Sequence, residues 1–352
     1  MTILKKPERT ADYKPLLAWF CVFVLAWTTL LLYAGGFTTT IRAGMAFLDW
    51  PLSDGSINPE GWLTETDKMA EHSHRILATG TGILCIIQAI WLYLRESRIW
   101  LRRLGWAALL LVIFQGFLGG ARVLFDQLNS GEPGNLLAQT FAVLHGITAY
   151  FTFCVLIAVA LATSHKWVQQ YGGLTEPVPK SIRLWGLISC GVLFLQLLLG
   201  AMMRQANAGL AITTFPFASA GSLLPDAWDF RIAIHFAHRA VAALVTISIA
   251  MFLGRIWGFP TTRRALAVPS IALIVLLTAQ IYLGALVIWS VRSSYIATFH
   301  MLTGAFVLAA TWVLTLLSYR FYFGDKNSLI ASRQDQTAPS AKRLFASAKI
   351  RT

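Results

Sequence analysis

Long apolar stretches alternate with short polar connections along most of the chain, and eight of these stretches are long enough to cross a membrane as helices. About 20 apolar residues in an α-helix span roughly 30 Å of hydrocarbon. Charged residues lie mainly in the connections and at the ends of the stretches. The pattern therefore predicts an all-α polytopic membrane protein. The predicted spans are 16–36, 71–94, 104–125, 136–163, 184–203, 232–253, 265–289 and 295–317.

The composition supports this class of protein and excludes others. Hydrophobic residues make up 56% of the 352 residues and charged residues only 13%, whereas about 25% of the residues of a soluble protein are charged. A disordered protein, a coiled coil and an ordinary cytosolic enzyme are therefore excluded. The partner that surrounds most of the chain is expected to be the lipid bilayer.

The distribution of charge predicts how the chain is oriented. The net charge of +13 would suggest a nucleic-acid partner in a soluble protein. Here the amino terminus, the even-numbered connections and the carboxyl-terminal tail hold 21 Lys and Arg against 6 Asp and Glu, while the odd-numbered connections hold 6 against 10. Positively charged connections stay in the cytoplasm. Both termini are therefore predicted to be cytoplasmic, and no nucleic-acid partner is expected.

Two further features concern the compartment. The amino terminus does not have the Arg- and Ser-rich, acid-poor composition of an organelle presequence, which favours a bacterial plasma membrane. No cysteine lies in the long outer connections, so we expect no structural disulfide. All four cysteines fall inside predicted spans: Cys21, Cys85, Cys154 and Cys190.

The second half of the chain repeats the pattern of the first. The third predicted helix carries Gln115–Gly120, and the seventh carries the similar segment Gln280–Ala285. An even number of spans separates the copies, so both have the same orientation. We therefore predict two tandem four-helix bundles, related by a pseudo-twofold axis along the membrane normal. The predicted divisions are residues 1–165, residues 184–320 and a basic cytoplasmic tail of residues 321–352.

Four of the seven histidines occur once in each even-numbered helix, within about eight residues of its outer end. At about 1.5 Å per residue, all four lie within ~12 Å of the outer surface. Ionisable groups inside spans are costly and therefore functional candidates; the structural alternative is a core histidine bound to a backbone carbonyl. The repeat suggests two metal-binding pairs: His74 with His145, and His238 with His300.

Haem iron suits these pairs better than other metals do. A small residue follows each histidine four positions later, which leaves room for a flat macrocycle against the helix, and facing helices of a bundle can clamp one haem iron. Zinc or copper is less well matched, because the usual cysteine or carboxylate partners are lacking. The small residues are Ala78, Ala149, Ala242 and Gly304.

Three charged residues adjoin the histidines. Arg75 and Arg239 each follow a histidine and are predicted to bind haem propionates; the alternative is snorkelling to lipid headgroups. Glu71 lies one turn before His74, and the second half has His235 in its place. A carboxylate in one half alone suggests that this half does chemistry, with Glu71 as its catalytic residue, while the other half holds a redox cofactor. The alternative is a helix-end acid that the helix dipole favours.

At these residues the sequence resembles the haem A synthase family of the cytochrome oxidase assembly pathway. The resemblance spans nearly the whole chain, and the motifs are specific when taken together with the duplication. This chain has no cysteine pairs in its outer connections, so it resembles the cysteine-free subtype of the family. The motifs that carry the resemblance are Glu71–Arg75, Gln115–Gly120, His145, His238–Arg239, Gln280–Gly284 and His300.

The resemblance implies an oxidoreductase that converts the C8 methyl group of haem O to the formyl group of haem A. Its amino-terminal half would bind the substrate haem, and its carboxyl-terminal half would hold haem b, both toward the outer face. Implied partners are haem O synthase, cytochrome oxidase assembly factors and a quinone or other electron acceptor. Two alternatives stay open: a di-haem b-type cytochrome that oxidises quinol, and a haem carrier or assembly scaffold.

Overall fold

The computed structural model describes residues 12–128, 135–169, 178–219 and 221–337. Within these residues the chain forms nine helices, and eight of them are long and apolar enough to cross a membrane. The predicted all-α polytopic class is confirmed. The helices are α1 (Pro15–Thr40), α2 (Thr66–Arg95), α3 (Ile99–Leu128), α4 (Leu136–Thr163), α5 (His165–Gln169), α6 (Lys180–Gln205), α7 (Phe230–Trp257), α8 (Pro260–Trp289) and α9 (Ser294–Thr337).

Most helices extend beyond the predicted spans, because hydropathy marks the hydrocarbon crossing and local chemistry marks the helix end. Proline occupies the first turn of α1 and of α8, where its missing N–H costs no hydrogen bond. The side chain of Asn135 caps α4 by accepting from Ala138 N at 3.1 Å, and Asp229 caps α7 by accepting from Ile232 N at 2.7 Å.

The carboxyl-terminal helix is longer than the predicted span, while the basic cytoplasmic tail of residues 321–352 stays a prediction. Helix α9 continues from the predicted end at residue 317 to Thr337, so residues 321–337 of the predicted tail are helical. Residues 338–352 of that tail and residues 1–11 at the amino terminus lie outside the described residues. The short helix α5, in the connection after α4, was not predicted.

The eight long helices pack as two rings of four. In the first ring α1 contacts α2, α2 contacts α3, α3 contacts α4, and α4 returns to α1; α6, α7, α8 and α9 make the same cycle. Between the rings, α4 contacts α9, α1 contacts α9, and α6 contacts α4. Since α6 and α9 are the repeat counterparts of α1 and α4, this interface is reciprocal, as contacts across a twofold axis are.

Apolar packing is concentrated at the end of the first ring where α1 begins. Leu17 and Cys21 of α1 pack there against Leu92 of α2, Leu101 of α3 and Val159 of α4. A second apolar cluster lies directly beside them in the same ring. The four cysteines are free and buried, as expected. Helix packing therefore closes the first ring at this end and leaves the other end to the polar residues described next.

Candidate active site

His74 and His145 face each other across the first ring. They lie on α2 and α4, the diagonal pair of that ring, and their imidazole centroids are 6.5 Å apart with the ring planes at 89°. The Nδ1 atom of each histidine is buried and has no hydrogen-bond partner. Each imidazole therefore keeps a nitrogen available for metal coordination.

A glycine on a neighbouring helix (α1, α3, α6 or α8) lies against each of the four histidines. A Cβ atom built on Gly35 would lie 2.7 Å from His74 Cε1, and one built on Gly200 would lie 3.2 Å from His238 Cε1. For Gly119 and His145 the distance is 3.4 Å, and for Gly284 and His300 it is 3.1 Å. At Gly35, Gly200 and Gly284 glycine thus lets the imidazole approach the neighbouring backbone more closely than other residues would allow, whereas the distance at Gly119 is an ordinary contact.

His74 and His145 line a cavity of about 380 Å³. Ala78 and Ala149, the small residues one turn after the two histidines, also line it. Trp50, from the loop between α1 and α2, covers part of the cavity and packs so closely on Gly120 that a Cβ there would lie 2.7 Å from the indole. The cavity is therefore walled by helices, small residues and this loop.

These features fit a haem whose iron is bound by two histidines. Metal–imidazole bonds are about 2 Å long, so one metal between two imidazole nitrogens places the ring centroids about 6 Å apart. The observed separation of 6.5 Å is close to this value. Among the described residues, no group of three or more His, Cys, Asp and Glu side chains could hold a metal ion by itself.

The second pair of histidines occupies the equivalent helices of the second ring. His238 lies on α7 and His300 on α9, each beside its glycine. Gln196 Nε2 lies 3.2 Å from His238 Nδ1, and Gln280 Nε2 lies 3.4 Å from His300 Nε2. In the first ring, by contrast, Gln115 hydrogen-bonds to Thr148. Metal binding by all four histidines stays a prediction.

Glu71 is buried beside the first pair, with 4% of its surface exposed, and it lines the same cavity. Its Oε1 accepts from Arg75 Nη2 at 2.6 Å, and its Oε2 accepts from Phe47 N at 3.1 Å. Glu71 is therefore more than a helix-end acid, since it joins α2 to the loop between α1 and α2. Its catalytic role stays a prediction.

Arg75 and Arg239 hold the loop between α1 and α2 and the loop between α6 and α7 through backbone carbonyls. Arg75 donates to the carbonyls of Phe47, Asp49 and Leu52. Arg239 donates to the carbonyls of Ile212 at 3.1 Å, Thr214 at 2.7 Å and Phe217 at 3.4 Å. The arginines thus play the same part in both loops, while their predicted contact with propionates stays a prediction.

The first loop carries one titratable group with a perturbed pKa. Burial alone would raise the pKa of Asp49, but hydrogen bonds from the backbone amides of Gly55 and Asp54, together with the charge of Arg75, lower it below its ordinary value. Both amide hydrogen bonds are 2.8 Å long. The loop that covers the cavity is therefore stabilised by an ionised Asp49.

Several residues of the cavity had not been singled out from the sequence. Arg122 of α3 and Arg204 of α6 line it, as do Tyr150 and Met301. Arg204 and Met301 belong to the second ring, so the cavity of the first ring is completed by the second. The repeat gives no signal for the arginines, since the counterpart of Arg122 in the second half is Val287 and the counterpart of Arg204 in the first half is Thr39.

Comparison with known proteins now assigns a family. Residues 18–312 match the family model described as cytochrome oxidase assembly protein, COX15-CtaA. The chain belongs to this family. The match covers both rings and all four histidines, so the family extends across both candidate haem sites.

Individual relatives of the COX15-CtaA family carry the name Heme A synthase. The protein from Symbiobacterium thermophilum is 31% identical over 61% of this chain and 65% of its own length. The protein from Shouchella clausii is 27% identical over 82% of this chain and 91% of its own, and that from Alkalihalophilus pseudofirmus is 24% identical over 77% and 86%. These relatives are bacterial, and this chain, with eight helices that could cross a membrane among its described residues, is a multi-pass membrane protein.

Proposed function

We propose that this protein is a haem A synthase that oxidises the C8 methyl group of haem O to a formyl group. The observation that carries this proposal is the first-ring cavity, in which two facing imidazoles, 6.5 Å apart, adjoin the buried carboxylate of Glu71 in a chain of the COX15-CtaA family. His74 and His145 would bind and orient the substrate haem. A pure electron-transfer cytochrome has no need for a carboxylate in one half alone.

Glu71 is suited to moving protons. Conversion of a methyl group to an aldehyde with water as oxygen source releases four electrons and four protons. A positioned carboxylate can accept such protons or stabilise positive charge that develops at the oxidised carbon. The ion pair with Arg75 and the hydrogen bond from Phe47 N hold this carboxylate in one orientation at the cavity wall. Trp50 lies over part of the cavity, and apolar side chains fill the end of the first ring where α1 begins.

In the second ring, His238 and His300 would hold haem b, which supplies one-electron transfer when bound. Gly200 and Gln196 would orient the imidazole of His238, and Gly284 and Gln280 would orient that of His300. The reciprocal contacts between the rings support two tandem bundles around a pseudo-twofold axis. Arg42 and Asn207, which occupy equivalent positions of the repeat, hydrogen-bond to each other at 2.7 Å, as expected close to such an axis.

The orientation follows from the charge distribution. We propose that both termini are cytoplasmic in a bacterial plasma membrane, with the histidine pairs toward the outer face. The electron acceptor would then be a quinone or another membrane carrier. Haem O synthase and assembly factors of cytochrome oxidase are the proposed partners that deliver the substrate and receive the product.

The experiment that tests the function is extraction and separation of haems from purified protein made in a strain that supplies haem O. Haem O or haem A beside haem B supports the synthase, while haem B alone, with no conversion of added haem O, would contradict it. His300→Ala should remove the haem B spectrum and leave the first-ring haem. A full low-spin b-type spectrum in His300→Ala would contradict the assignment of the second pair.

A further inference from the structure

The first-ring cavity contains two arginines that the proposed chemistry has not used. Arg122 lies near the outer end of α3, and Arg204 lies near the outer end of α6 in the other ring. Arg204 reaches α4 at the residue after His145, since a Cβ atom built on Gly146 would lie 3.8 Å from Arg204 Nη2. Two positive charges from different rings thus meet in one cavity.

The hydrogen-bonding capacity of these arginines is largely unused. Arg122 donates to Gly44 O at 2.6 Å, and Arg204 Nη1 contacts Met301 Sδ at 3.2 Å. Arg204 Nε is buried without a partner. A thioether sulfur is a weak acceptor, so the contact with Met301 compensates little of the charge.

No carboxylate of the described residues forms an ion pair with either arginine. Glu71, which lines the same cavity, is already bound by Arg75 and Phe47 N. Asp126, one turn after Arg122 on α3, makes no ion pair with it. Positive charges in a site with little water are costly unless an anion or strong acceptors compensate them. The cavity therefore favours a negatively charged ligand.

We propose that Arg122 and Arg204 bind the two propionate carboxylates of the haem held by His74 and His145. A haem has a flat apolar body for the small residues, an iron for the imidazoles and carboxylates at one edge, so it satisfies all three parts of the cavity. Guanidinium groups bind carboxylates through paired, charge-assisted hydrogen bonds. The proposal rests on the proposed function only in taking a haem as the ligand. It also means that the second ring supplies a binding residue to the first.

The test is equilibrium binding of two probes, haem B and its dimethyl ester, to purified protein, followed by Soret absorbance. Esterification removes both carboxylate charges and keeps the iron and the macrocycle. Arg204→Gln should weaken the binding of haem B to the first ring at least tenfold and leave the binding of the ester there within about twofold. Arg204→Lys should recover part of the loss. Binding to the first ring is identified as the part of the titration that His74→Ala removes.

The matched control is Arg231→Gln, which removes the same charge from an exposed position at the start of α7. It should leave both probes unchanged. An equal loss for haem B and the ester in Arg204→Gln would overturn the proposal, because it indicates a structural role. Unchanged binding of haem B would also overturn it. Retention of the second-ring haem spectrum shows that the variant is folded.

An anionic lipid headgroup is the other source of negative charge for these arginines. In that case wild-type protein would bind haem B and the ester equally, and Arg204→Gln would lose co-purified lipid phosphate. This outcome would overturn the proposal. Neither readout depends on turnover, so a protein that fails to convert haem O can still support carboxylate binding. Conversely, active enzyme with no preference for haem B over its ester would reject the arginine proposal alone.

Discussion

The first ring holds its loop between α1 and α2 in the same way as the second ring holds its loop between α6 and α7, but with a different residue at the centre. In the first ring, Glu71 accepts from Phe47 N and from Arg75. In the second, His235 takes the same place, with Ile212 N at 3.2 Å from Nδ1 and Arg239 Nε at 3.3 Å from Nε2. Phe47 and Ile212 occupy equivalent positions of the repeat, so the two arrangements correspond residue by residue.

This comparison separates the structural part of the motif from the part that differs. A carboxylate can accept from both donors at once, whereas a neutral imidazole has a single acceptor nitrogen. His235 can therefore accept from only one of its two donors, yet Arg239 still donates to three carbonyls of the second loop. Loop attachment does not require a carboxylate, and the carboxylate is the feature that distinguishes the first ring. Arg122 and Arg204 are likewise confined to the first cavity. These differences between the rings are charges, and they lie around one histidine pair.

The largest expected effect comes from giving the first ring the residue of the second. Glu71→His should keep the loop attached and both haems bound, because His235 already fits between equivalent donors. Haem A formation should fall about 100-fold or more, as expected when an acid–base group is removed. Haems O and A from cells that supply haem O measure this directly. The reciprocal variant His235→Glu should keep activity. Wild-type yield of haem A from Glu71→His would show that the carboxylate is dispensable.

A smaller effect is expected at the glycines that face the histidines. Gly35→Ala should weaken haem binding in the first ring by about tenfold to 100-fold, because its Cβ would lie 2.7 Å from His74 and overpacking costs about 1–3 kcal/mol. Gly119→Ala, at 3.4 Å from His145, is the matched control and should change binding little. Haem titration monitored by absorbance compares them. Equal binding by both variants would mean that the imidazole of His74 is free to move.

The loops provide a third, weaker test of the correspondence. Arg239→Gln should loosen the loop between α6 and α7 and raise its rate of cleavage by protease about tenfold. The reason is that a hydrogen bond from a charged donor contributes about 1.5–3 kcal/mol. Arg75→Gln should do the same to residues 41–65 and leave the second loop unchanged. Limited proteolysis with mass spectrometry locates the cuts. Loss of haem without any change in cleavage would instead favour the predicted contact with propionates, and for Arg75 it would contradict the assignment of both propionates to Arg122 and Arg204.

The smallest effect concerns pH. The pKa of Asp49 is lowered in the folded loop, so its contribution is present above the ordinary aspartate pKa of about 3.9 and is lost as the pH falls through the lower folded value. The protection factors of the amides in residues 41–65, which are corrected for the intrinsic pH dependence of exchange, should therefore fall at acid pH. The second loop has Thr214 at the equivalent position, which does not titrate in this range. Asp49→Asn should remove the pH dependence, and its persistence in that variant would assign it to another group.

Much of the fold could be predicted because it depends on local composition. Hydropathy alone placed all eight spans, since each helix must be apolar over the thickness of the bilayer whatever its neighbours are. Helix ends could not be placed as well: α8 begins at Pro260, ahead of the predicted start at residue 265, and α9 continues to Thr337. Capping and helix propensity act in water as well as in lipid, so hydropathy does not show where a helix begins or ends outside the hydrocarbon.

For the site, the sequence by itself determined which residues are candidates: four histidines at one depth, Glu71 in one copy of the repeat, and an arginine after a histidine in each copy. These candidates follow from the spacing of residues along single helices. Because an α-helix has a constant rise and turn per residue, that spacing gives the depth of a residue and the helix face on which it lies.

Only the tertiary structure decided which groups meet. It brought Gly35 against His74, turned Arg75 and Arg239 toward loop carbonyls, and placed Arg204 of the second ring in the cavity of the first. The physical reason is that helix spacing reports the face and depth of a residue, whereas contacts between helices depend on how the rings pack. Arg204 has no equivalent in the repeat, so its partners became apparent only when α4, α6 and α9 were assembled.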